Sequence, residues 1–201
     1  MVQQASVVTP ERFASGMSYA DYLASIERNQ KRFDENYAAT DVSAGDVAAY
    51  KALMARPNGP AKLMVVGEDW CPDVFRGVPV FQRLAEATGL EIKIFKRDEN
   101  KDIIAEFLNG GEFESIPVAV FYTKDMEEIC HFVERPALAN EEMHTKLREM
   151  YLRFRKPDMT DEERAAARAE NIAFQNGPIW ANWRQETIRE CLRALQAKLG
   201  Q

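Results

Sequence analysis

The sequence predicts an α/β protein, with four short strands forming one sheet and helices flanking it at both ends of the chain. Three observations lead there. Apolar runs of strand length, among them Leu63-Met64-Val65-Val66 and Val118-Ala119-Val120-Phe121-Tyr122, alternate in the middle of the chain with segments of helical periodicity. Two of the runs, 117–122 and 127–133, are separated only by Thr123-Lys124-Asp125-Met126, which suits a hairpin and makes them antiparallel neighbours. After Arg135-Pro136 the composition shifts to long amphipathic stretches.

Taken in order, the first ten or so residues lack pattern and read as a loose arm. Tyr19, Tyr22, Leu23, Ile26, Phe33 and Tyr37 follow a helical face, so 18–37 is expected as one helix capped by Ser18, with Asp21 completing a capping box. Residues 46–54 form a second helix, closed by Arg56-Pro57-Asn58-Gly59-Pro60. The first strand is 61–67. Residues 73–88 are helical by Val74, Phe75, Val78, Phe81, Leu84 and Ala85, with Pro79 expected to kink the helix and Gly89 to stop it. A strand over 90–96 precedes a helix over 99–109, capped by Asp98 and ended by Gly110-Gly111. Helices are then expected over 137–154, 161–174 and 178–199. In the last of these Trp180, Trp183, Ile188, Cys191, Leu192, Leu195 and Leu199 make one apolar stripe, to be covered by the chain's own core or by a second copy in a homodimer.

The 201 residues suffice for one domain spanning 1–201, organised as helices over 1–60, a core over 61–136 and helices over 137–201. Hydrophobic residues at 46% and charged residues at 29% place the chain among soluble globular proteins. The net charge of −6 argues against nucleic acid as a partner. No run is long enough to span a membrane, and the first 18 residues lack the apolar core of a signal peptide, so a cytoplasmic location is expected.

Three cysteines, Cys71, Cys130 and Cys191, have no spacing that suits a zinc site or a disulfide framework, and neither a metal nor a cofactor is expected. Cys130 and His131 are adjacent on a strand and so face opposite ways; Cys130 is read as buried and His131 as exposed. Cys191 falls on the apolar stripe, and His144 on a helix surface. Cys71 differs. In Trp70-Cys71-Pro72-Asp73-Val74 it stands between a strand and a helix, where the helix dipole favours the thiolate that attacks disulfides. Glu68, Asp69 and Asp73 oppose that effect by raising the thiol pKa, and the sequence leaves the balance open.

The order of elements, the Trp70-Cys71-Pro72-Asp73 turn, Ser115-Ile116-Pro117 opening the third strand and Arg97-Asp98-Glu99-Asn100 ending the second together resemble the thioredoxin fold. With Asn109-Gly110-Gly111 and Arg135-Pro136 added, the chain looks like a bacterial thioredoxin-like family with a single-cysteine Trp-Cys-x-Asp motif, the match being good over roughly 45–137. The resemblance implies a mixed four-stranded sheet with added N- and C-terminal helices, a cis peptide at Ile116-Pro117 beside the thiol, and Cys71 as the reactive group. Trp70, Pro72, Asp73, Ile116 and Pro117 would then contact substrate. Two departures stand out. Val74 occupies the position of the second cysteine, and Val65 that of the buried acid that assists proton transfer in thioredoxins.

Two functions follow. Cys71 can run monothiol exchange on a protein disulfide or a low-molecular-weight thiol such as glutathione, an external thiol resolving the mixed disulfide. Alternatively, the chain is a non-catalytic thioredoxin-fold module that docks a protein or peptide. The Gly-rich segment that follows the fourth strand in glutaredoxins is replaced here by Phe132-Val133-Glu134-Arg135-Pro136.

Overall fold

The computed structural model describes residues 6–145, 147–154 and 156–200. The elements run α1 (Pro10–Ala14), α2 (Tyr19–Ser25), α3 (Gln30–Ala38), α4 (Ala44–Met54), β1 (Lys62–Gly67), α5 (Pro72–Thr88), β2 (Glu91–Lys96), α6 (Lys101–Ile104), β3 (Val118–Tyr122), β4 (Glu128–Val133), α7 (Ala137–Thr145), α8 (Arg148–Phe154), α9 (Asp161–Gln175) and α10 (Pro178–Leu199). The strands form one sheet in the order β2-β1-β3-β4. β1 pairs parallel to β2, in register from Lys62 opposite Glu91 to Gly67 opposite Lys96, and antiparallel to β3. β3 and β4 form the expected antiparallel hairpin. The sheet is therefore mixed, as the resemblance implied.

Burial explains why these residues take these places. β1 and β3 lie between neighbours, and their apolar runs are fully buried, whereas edge strand β4 alternates, with Cys130 and Phe132 inward and His131 outward. α5 packs on β1 and β2, and α10 lies against α4, α5 and β4. The stripe on α10 is accordingly buried within the chain itself from Trp180 to Leu195, with Leu199 partly buried. A buried hydrogen bond from Tyr50 Oη to Ile188 O, at 2.8 Å, ties α4 to α10. Among the described residues no helix is long and apolar enough to cross a membrane.

Several expected elements are corrected. Residues 10–14 form a short helix with Thr9 as its cap, while residues 1–5 of the expected arm lie outside the described residues. The single helix expected over 18–37 is two. Ser18 caps α2 through its hydroxyl, but Ile26 is extended and Asn29 is left-handed at φ 59°. Asp69 makes the break affordable, because its carboxylate accepts the N–H groups of Glu27 (2.9 Å) and Arg28 (2.8 Å). The helix expected over 99–109 shrinks to Lys101–Ile104. Asp98 does not cap it, since its carboxylate binds Arg97 and Lys101, and the chain then folds into a loop closed by Asn109 N–H on Phe113 O at 2.8 Å. The stretch 137–154 divides into α7 and α8, with residue 146 outside the described residues. α5 continues through Pro79 to Thr88, its inward face buried on the sheet.

Candidate functional site

β1 ends at Gly67, and the turn Glu68-Asp69-Trp70 delivers Cys71 to the N-cap position of α5. Pro72 follows at the first helical position, where its missing N–H costs nothing. Across from this turn, Ser115-Ile116-Pro117 leads into β3, and the Ile116–Pro117 peptide is cis. The two segments meet: Cys71 Sγ lies 3.7 Å from the Ile116 carbonyl oxygen, which accepts from the thiol. Gly77, one and a half turns into α5, allows the close approach, because a Cβ there would sit 2.9 Å from Pro117 Cγ.

Cys71 is half-buried, and burial pushes its thiol up from the ordinary cysteine range. The Asp73 carboxylate adds to this. The backbone N–H groups of Val74 and Asp73 and the Arg135 guanidinium act in the opposite direction without overcoming it. The balance that the sequence leaves open is thus decided against the helix terminus. Of the three acids, Asp73 acts most strongly on the sulfur; Asp69 is committed to the α2–α3 break, and Glu68 accepts the Asp98 N–H at 2.8 Å. Cys130 and Cys191 are both buried and both raised, Cys130 to about 12.

Of the residues expected to contact substrate, Trp70 is 43% exposed, with the Arg97 guanidinium over its ring at 5.0 Å. Pro72 is exposed beside the thiol, while Ile116 buries its side chain and contributes its backbone carbonyl. Asp73 turns inward: its Oδ2 accepts Arg135 Nη2 at 2.6 Å and Nε at 3.1 Å, and its Oδ1 lies 3.0 Å from Arg76 Nη2. Sequence reasoning missed these two arginines. Arg76 was legible in principle, being three residues from Asp73 on one helix, but Arg135 arrives through the tertiary fold. Among the described residues no group of three or more His, Cys, Asp or Glu is placed to hold a metal.

A family model described as thioredoxin matches residues 16–151, more than half of the chain. The chain belongs to the thioredoxin family. No curated protein matches it. Among solved structures, this thioredoxin-family protein is similar to a protein of unknown function from Pseudomonas aeruginosa, with a TM-score of 0.65 and 14% identity over 94% of this chain and 98% of that one. It is also similar to an HIV epitope-scaffold, with a TM-score of 0.61 and 17% identity over 96% of this chain and 99% of that one. Both likenesses are of fold.

Proposed function

We propose that this thioredoxin-family protein performs single-thiol exchange through Cys71. The observation that carries the reading is the contact between Cys71 Sγ and the Ile116 carbonyl, at a helix N-terminus and beside Pro117, which brings a sulfur to a backbone edge able to pair with an extended peptide. In the exchange, Cys71 loses its proton to solvent and its sulfur attacks one sulfur of a protein or glutathione disulfide. A new S–S bond forms, and the displaced sulfur leaves with the electron pair and takes up a proton. An external thiol then attacks the mixed disulfide, returns Cys71 to the thiol and leaves oxidised. A reducing compartment such as the cytoplasm supplies that thiol.

The raised thiol favours a second reading, a docking module without turnover, because little thiolate is present at neutral pH. One experiment separates the two. The protein is incubated with oxidised glutathione and with a disulfide-bonded peptide, and adducts are read by intact mass and peptide mapping. Exchange predicts a mixed disulfide on Cys71 that persists until thiol is added, faster release with a motif disulfide in Val74→Cys, and no capture in Cys71→Ser. Modification no faster than at the thiol of an unfolded peptide supports the docking module instead.

A further inference from the structure

Next to the thiol lies a charge network that the exchange step leaves unused. The Asp73 carboxylate is held between two guanidiniums from different parts of the fold, Arg76 on α5 and Arg135 in the turn after β4. Arg76 is 1% exposed, and its guanidinium lies 5.6 Å from the ring centre of Trp180 and 5.4 Å from that of Trp183 on α10. Among the described residues its Nε and Nη1 find no hydrogen-bond acceptor, and its Nη2 pairs with the Asp73 carboxylate at 3.0 Å. Arg135 also pairs with Glu134, and its Nη1 lies 3.2 Å from the Met143 sulfur. The network therefore joins the thiol helix, the end of β4, α7 and α10.

The charged and titratable groups around Cys71 can be named element by element. α5 contributes Asp73 and Arg76, and the turn after β4 contributes Arg135. Tyr22 comes from α2, and Tyr151 of α8 faces Asp73 and both guanidiniums. Glu68 and Asp69, in the turn before the cysteine, are bound to backbone N–H groups elsewhere. The two fully charged groups that act on the sulfur most strongly thus have opposite signs and are hydrogen-bonded to each other.

We propose that Asp73 and Arg135 are positioning residues that set the reactivity of Cys71 in opposite senses, the guanidinium drawing negative charge to the sulfur and the carboxylate repelling it, with Arg76 fixing Asp73 against α10. The inference deepens the exchange reading by assigning control of the attacking sulfur. It also gives the pair a role distinct from cohesion. An ion pair that only holds two elements together is broken equally by removing either partner, so both losses change the thiol in the same direction. An electrostatic control pair gives opposite changes.

The test is the rate of iodoacetamide alkylation at Cys71, followed by peptide mapping of the full chain from pH 6 to pH 10. Asp73→Asn is expected to raise the rate at pH 7 about three- to tenfold and Arg135→Gln to lower it by a similar factor, since one pKa unit is tenfold in thiolate. Asp73→Glu and Arg135→Lys keep the charges and are expected to stay within about twofold of the wild type. Thermal melts identify any variant that does not fold. Should one neutral variant fail to fold, the other against its charge-keeping counterpart, Asp73→Asn against Asp73→Glu or Arg135→Gln against Arg135→Lys, still decides the matter. Changes of the same sign in both neutral variants, or none in Asp73→Asn, overturn the proposal. Alkylation rates that move as expected while no mixed disulfide forms would sink the exchange reading and leave this inference standing.

Discussion

Replacing Gly77 by alanine tests whether the close approach of α5 to Pro117 builds the site. Away from any contact, the change should help, because alanine is favoured over glycine within a helix by about 1 kcal/mol. Here the new Cβ would lie 2.9 Å from Pro117 Cγ. Carbon atoms prefer separations of about 3.5–4.0 Å. The proline ring is stiff, so α5 and the 115–117 segment must move apart, and overpacking of this kind costs about 1–3 kcal/mol. The net expectation is destabilisation by about 1 kcal/mol, which lowers the melting temperature by about 2–4 °C in a chain of this size. Separation also lengthens the 3.7 Å contact between Cys71 Sγ and Ile116 O and exposes the sulfur. Burial is the largest cause of the raised thiol, so Cys71 should alkylate faster at neutral pH. The control is Gly45→Ala at an exposed position of α4, where a Cβ would meet Ser43 Oγ at an ordinary 3.8 Å. That variant should be stabilised, by up to about 1 kcal/mol. A Gly77→Ala protein that melts at or above the wild-type temperature with unchanged alkylation refutes the reasoning.

Stability should fall at alkaline pH. Cys71, Cys130 and Cys191 are all held above the ordinary thiol range, with Cys130 at about 12, so the folded state keeps protons that the unfolded state releases. Their contribution is complete below the unfolded thiol pKa of about 8.5 and is lost as pH rises toward the folded values, a window that urea melts between pH 7 and 11 would reveal. A flat profile over that range would count against the buried placement of these thiols. Tyr50→Phe removes the 2.8 Å bond to Ile188 O and should cost about 0.5–1.5 kcal/mol by the same melts. In the native protein a brief iodoacetamide pulse should label Cys71 and spare the buried Cys130 and Cys191, as read by peptide mapping.

The strands were legible because each carries its own signal. The buried runs of β1 and β3 and the four-residue hairpin link require no knowledge of the rest of the chain. So was the meeting of Cys71 with the Ile116-Pro117 segment, through the resemblance that aligns both. The helix boundaries that failed were set from a distance. Residues 26–29 keep helical spacing, yet Asp69, some forty positions later, supplies the acceptor for the extended segment. Asp98 resembles a cap in sequence, but Arg97 and Lys101 claim its carboxylate. The charge network beside the thiol was hidden for the same reason, since Arg135 reaches Asp73 across 62 positions.

Val74 is fully buried against the end of β1, where a Cβ on Gly67 would fall 2.7 Å from Val74 Cγ1. The place of a second sulfur is thus occupied by a branched side chain fitted to a glycine notch. For any adduct on Cys71 this changes the kinetic order of release. A thiol within the chain acts at an effective concentration that is fixed by geometry and independent of the surroundings. One that arrives from solution acts at whatever concentration the surroundings provide. The lifetime of the adduct then becomes a property of the compartment, lengthening as its thiol pool is depleted and shortening as the pool recovers.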